Sequence, residues 1–173
     1  MVAPSPNRGE SMKLFILLMT VLLSSFAMAD GNVVVDITLN PMGDFKAKTT
    51  EIKGEAIQKG DEVSAENIVV NLKSLKTGVE LRDKHTQKHL ETDKFPEAVL
   101  TKATGKGGKG QGHIKIRGVE KDITGTYTIK DKTLSAEFNL SLADFNMKDI
   151  NYMGIGVEDT VTLHITLPLK TAP

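Results

Sequence analysis

The chain has 173 residues, 22 Lys plus Arg against 22 Asp plus Glu, and no cysteine. That length favours one domain, and the balanced charge excludes both a global basic field for nucleic acid and the acidic excess of a disordered chain. Without cysteine there is no disulfide staple and no lipid-modified cysteine, so a packed core must carry the stability.

Met12-Lys13 opens an apolar run, LFILLMTVLLSSFAMA, that ends in Ala27-Met28-Ala29. A positive start, a short apolar stretch and a small-residue end read as a secretory signal peptide. The expected start is Met12 and the expected cut follows Ala29, so 1–29 is signal and 30–173 the single mature domain. The apolar run is shorter than the roughly 20 residues of a spanning helix. The expected location is therefore periplasmic or secreted. A mature part of about 140 residues can bury about two-thirds of its surface.

Asn32 to Asn40 (NVVVDITLN) alternates with period two, placing Val33, Val35, Ile37 and Leu39 on one face of a strand. Pro41 to Asp44 is turn chemistry. Phe45 to Ala56 alternates less cleanly and reads as two short strands or one bent at Gly54. Lys59-Gly60-Asp61 turns the chain into Ala65–Leu72, with Ile68, Val70 and Leu72 on one side. A helical or turn-rich excursion follows, near residues 75–92, and Pro96 forces an extended restart. Ala98–Ala103 is a strand, Gly105–Gly112 (GKGGKGQG) a flexible connection, and His113–Val119 a strand. Glu120-Lys121-Asp122 is a short turn. Ile123–Ile129, Leu134–Leu142 and Val161–Leu169 alternate as strands, with Asp131-Lys132 as a turn and Asn146–Gly156 irregular.

These elements predict an all-β fold: an antiparallel up-and-down, lipocalin-like barrel of about eight strands with one short helical insertion. Closure would pair the last strand with the first. No βαβ pattern supports a Rossmann or TIM fold. A barrel of this size holds packed side chains or one small ligand, and periodicity does not separate the two cases.

Few motifs carry chemistry. His85 and His89 lie four apart and would share a helical face. Thr86 stands where a zincin needs its glutamate, so these histidines more readily cap, pair with carboxylates or face solvent. No nucleophile has an obvious base beside it, and there is no G-x-S-x-G elbow. GKGGKGQG lacks the Gly-Lys-Ser/Thr end of a phosphate loop. With Lys102, Lys115 and Arg117, its Lys106 and Lys109 form a basic patch, read first as solubilising and second as a contact for anionic headgroups. The excursion could lid one barrel mouth, with Arg82, Asp83, His85, Leu90 and Phe95 as mouth residues.

Six segments together resemble the YceI-like family of exported polyisoprenoid-binding proteins with a lipocalin-like barrel. They are NIVVNLKSLKTG, ELRDKHTQKHL, KFPEAVL, IRGVEKDI, LADFN and VEDTVTL, in that order, over about Ala65 to Leu167. The family's opening strand, with its D-x-x-H-S pattern, has no evident counterpart, and neither does its second histidine. The resemblance implies an apolar ligand, a polyisoprenoid or quinone-like lipid, along the barrel interior. It would contact inward residues such as Val35, Ile37, Ile68, Val70, Ile116, Tyr127, Phe138 and Leu163. It implies no enzyme activity, no cofactor and no nucleic-acid partner, and leaves room for transient membrane contact. Two alternatives stand beside it: a structural or stress-related barrel with a filled interior, and a metal-dependent enzyme using His85 and His89.

Overall fold

The computed structural model describes residues 31–172 except Met42 and Met153; the segment read as a signal peptide, 1–29, lies outside the described residues. Twelve strands and one α-helix follow in order. The strands are β1 (Asn32–Asn40), β2 (Asp44–Thr49), β3 (Ile52–Lys53), β4 (Ala56–Lys59), β5 (Glu62–Asn71), β6 (Glu97–Lys106), β7 (Lys109–Ile116), β8 (Val119–Lys130), β9 (Thr133–Ser141), β10 (Asn151–Tyr152), β11 (Ile155–Val157) and β12 (Thr160–Thr171). The helix, α1, spans Glu80–Leu90.

The strands form one sheet that closes on itself. From β4 the order runs β5, β6, β7, β8, β9, and β9 then pairs with β12, which pairs back with β4. On the edge away from β9, β12 meets β1 antiparallel through Asn32↔Thr166 to Asp36↔Thr162, so the last strand does pair with the first. Past Thr166 that edge passes to β4 at Leu169↔Ala56.

This last pairing is parallel, which corrects the expectation of a purely antiparallel meander. The cause is chain direction. β1 opposes β12 and β2 opposes β1, so a chain that keeps the course of β2 runs alongside β12. β3 and β4 keep that course, with Gly54 (φ +119°) providing the bend between them.

Three tight hairpins link β6 to β9. Their central pairs are Gly107-Gly108, Arg117-Gly118 and Asp131-Lys132, all at positive φ. Two consecutive positive-φ residues make the type I′ turn that matches strand twist. Two expectations are thereby corrected. Glu120–Asp122 lies inside β8, and the turn sits at Arg117-Gly118. Gly105–Gly112 is no flexible connection but the tip of the β6–β7 hairpin. Its glycines are there for space. A Cβ on Gly112 would lie 2.6 Å from the Lys102 carbonyl oxygen, and one on Gly105 would lie 2.6 Å from the Tyr127 ring.

Alternation is interrupted once in β5 and once in β6. In β5 the buried set runs Val63, Ala65, then Ile68, Val70, with Asn67 at φ +53° between. In β6 buried Ala98 and Leu100 are followed by half-buried Ala103, with a register shift at Thr101. A bulge of this kind adds one residue and reverses which parity points inward.

The helical excursion spans one end of the barrel. It leaves at Leu72, whose N–H donates to the Pro96 carbonyl at 2.8 Å, so the segment departs and returns at one point. Lys76 exchanges two backbone hydrogen bonds with Lys48 of β2. Asp83, buried, accepts from the Thr77 N–H and hydroxyl at 2.7 Å each and sits 3.7 Å from the Lys76 ammonium. These bonds fix the first turn of α1. At its other end Glu91 adopts φ +50° as a left-handed cap, with Thr92 donating back to Gln87. Arg117 pairs with Glu91 and donates to the carbonyls of Phe145 and Asn146 at 3.1 and 2.7 Å. One guanidinium thus ties the end of α1 to the segment after β9.

Two stability predictions follow from these contacts. The Thr77 hydroxyl and N–H, with the Lys76 charge, hold the Asp83 carboxyl below the usual aspartate value of 3.8. A depressed folded value means the contribution is present above 3.8 and is lost as pH falls through the folded value. Asp83→Ala is expected to lower unfolding free energy in urea by about 1.5–3 kcal/mol at pH 7. The gap to the native chain should narrow under acid conditions below 3.8; a gap independent of pH contradicts the anchor. Gly112→Ala is expected to cost about 1–3 kcal/mol because backbone must move, whereas in a loose linker it would be neutral or stabilising.

Candidate ligand cavity

The half of the barrel beneath α1 is hollow. A cavity of about 420 Å³ lies there, within the about 300–1,000 Å³ typical of small-molecule sites. Its walls come from strands all round the barrel: Val35 and Ile37 on β1, Ile68 and Val70 on β5, Ile116 on β7, Leu163 on β12. The short-period alternation puts each of them inside. A filled interior therefore does not describe this half of the molecule.

Tyr127 and Phe138, grouped with those six in the sequence reading, stand elsewhere. They line a smaller cavity of about 90 Å³ toward the opposite end, beside Gly105, Gly110 and Gly125. Periodicity told which face they occupy but not how far along the barrel they lie.

The mouth belongs to α1. Arg82, His85, Thr86, His89 and Leu90 line the cavity, at spacings that bring them to one side of the helix. Arg82 lies with its guanidinium carbon 4.3 Å from the centre of the Phe45 ring, a cation–π contact that holds it across the opening. Partial burial at this rim pushes His89 below the ordinary imidazole range, with the charges of His85, Lys88 and Arg117 adding to the effect. A neutral imidazole can both donate and accept a hydrogen bond.

Asp83 and Phe95 do not line the cavity. Adjacent helix residues point about 100° apart, so Arg82 faces the mouth while Asp83 turns back to Thr77. Phe95 packs at the base of the excursion against Gly118, where an added Cβ would meet its ring at 3.3 Å. Neither histidine has the company a metal site needs: among the described residues no three His, Cys, Asp or Glu gather to hold an ion.

The rim itself is apolar and open to solvent. Val79, Leu81 and Ile155 line the cavity and are 47%, 54% and 44% exposed. None of the three is among the mouth residues that the sequence suggests, and Ile155 carries the least signal. It sits in a glycine-flanked segment that carries no clean alternation. Val79, Leu81 and Ile155 therefore make a greasy collar around a cavity whose polar lining residues are Arg82, His85, Thr86 and His89 on α1 and Asn151 on β10.

The fold has solved relatives. The chain superposes on a polyisoprenoid binding domain from Saccharophagus degradans implicated in plant cell wall breakdown with a TM-score of 0.53, 13% identity, and coverage of 79% of this chain and 91% of that one. It superposes on Burkholderia cenocepacia BcnA with a TM-score of 0.60, again 13% identity, covering 81% and 96%. None of the curated proteins matches the chain. The YceI-like domain model matches residues 25–169, so the opening strand region left without a counterpart by the motif comparison falls inside the match. The barrel, its single helical excursion and this span together make the chain a member of the YceI-like family.

Proposed function

We propose that this chain is an exported protein that holds a polyisoprenoid- or quinone-like lipid inside its barrel, in the periplasm or outside the cell. The observation that carries the reading is the apolar cavity of about 420 Å³ under α1, walled by aliphatic side chains and open at one rim. Burying an apolar chain there is favoured by about 25 cal/mol for each Å² removed from water. Most of the polar lining groups lie on the helix side, at Arg82, His85, Thr86 and His89, with Asn151 of β10 beside them. An occupant with a long apolar tail and a compact polar head matches that division, with the head under α1 and the tail running down the barrel. The likeness to a solved polyisoprenoid binding domain supports the same choice. Holding such a lipid needs no covalent step, so the reading assigns no catalytic residue.

The exposed collar of Val79, Leu81 and Ile155 gives the lipid a way in. Its apolar side chains can touch a membrane surface briefly while the tail passes, which fits a carrier rather than a stored cofactor. No helix among the described residues is long and apolar enough to cross a membrane.

The test is cavity filling. Leu163→Trp places a ring in the middle of the cavity while removing no polar contact. Purified protein exposed to a prenyl quinone and freed of excess by gel filtration should carry quinone absorbance, and the Leu163→Trp protein should carry at least about tenfold less, a loss of about 1.4 kcal/mol in binding. Equal loading of the two proteins places the lipid outside the barrel and contradicts the reading.

A further inference from the structure

The two cavities meet at two side chains. Of the described residues, only Leu100 and Ile165 line both the large cavity and the small one. They reach inward from β6 and β12, which lie on opposite sides of the closed ring. Both are buried, at 9% and 5% exposure.

The same division runs round the barrel. On β12, Val161, Leu163 and Ile165 face the large cavity, and Ile165 and Leu167 the small one. On β5 the change falls between Ile68 and Ala65, and on β9 between Leu140 and Phe138. On β5 and β6 it coincides with the bulges at Asn67 and Thr101, where the inward parity resets. Beyond the division the far space is lined by Tyr127, whose ring lies against Gly105.

We propose that Leu100 and Ile165 form the floor of the lipid cavity and set the length of apolar chain the barrel accepts, with the small cavity as a reserve beyond that floor. The proposal rests on the lipid-holding reading and adds a specificity rule to it. A tail entering under α1 runs parallel to the strands and stops where the two side chains meet. From Ile165 to Leu167 the strand advances about 7 Å, which at a barrel tilt of about 40° is about 5 Å of depth, the span of roughly one more four-carbon prenyl repeat. The small cavity, about 90 Å³, gives that unit a place once the floor is lowered.

The experiment offers the purified protein a mixture of ubiquinones that differ only in the number of prenyl units, and identifies the bound species by native mass spectrometry. The native chain should show an upper length beyond which uptake falls sharply. Leu100→Ala should raise that limit by about one unit. Ala136→Leu, which fills the small cavity from β9, should leave the native limit where it is, and should return the Leu100→Ala protein to it. Ile165→Phe, which raises the floor without opening a void, should shorten the limit and serves if Leu100→Ala folds poorly. An unchanged limit in both floor variants, with quinone still bound, overturns the length rule and leaves the lipid reading standing. A native chain that takes up no ubiquinone overturns both.

Discussion

Closure of the sheet by β12 is the constraint on which the rest depends. That strand has β9 on one edge and β1 followed by β4 on the other, so neither edge is left open. An open sheet of this length would bury its apolar face only by stacking on a second layer, and the interior would then be a packed core. A ring instead encloses whatever its inward side chains leave unfilled. Here they leave the α1 end hollow, because Val, Ile and Leu from the facing walls do not reach one another there. At the far end the Tyr127 and Phe138 rings, with Val63, Leu134 and Leu167, leave only the smaller cavity, beside Gly105, Gly110 and Gly125.

The helix matters because it is not part of this ring. α1 is almost wholly polar in sequence, ELRDKHTQKHL, and its one buried residue is Asp83. It is held by its ends rather than by an apolar face: Asp83 with Thr77 at the start, Glu91 with Arg117 at the finish. A lid pinned at both ends with little apolar seal between them leaves its inner face free to carry Arg82, Thr86 and His89 over the opening. The same choice leaves the collar exposed, with Leu81 in the first turn of α1 and Val79 just before it open to solvent.

How much of this was legible in the sequence follows from what alternation reports. It reports which face a residue takes, and Val35, Ile37, Ile68, Val70, Ile116 and Leu163 all stand on the cavity wall as their parity implies. It does not report height along a barrel, so Tyr127 and Phe138, equally inward, were grouped with residues at the other end. Nor does it survive a bulge: Val63 and Ala65 are inward on the opposite parity from Ile68 because Asn67 intervenes. The glycine-rich run misled for a related reason. Gly105 and Gly112 were read as freedom of the chain, whereas they are places where another residue stands too near for a Cβ. The parallel β12–β4 pairing was invisible because four residues of β4 carry no signal of direction.

The central claim is that the hollow under α1 is a lipid site. The most direct measurement is native mass spectrometry of the protein gently purified from its own host cells, followed by solvent extraction of whatever is bound. The account predicts a mass above that of the polypeptide and release of one prenyl lipid per chain. A bare polypeptide mass, with no lipid recovered in the extract, contradicts it.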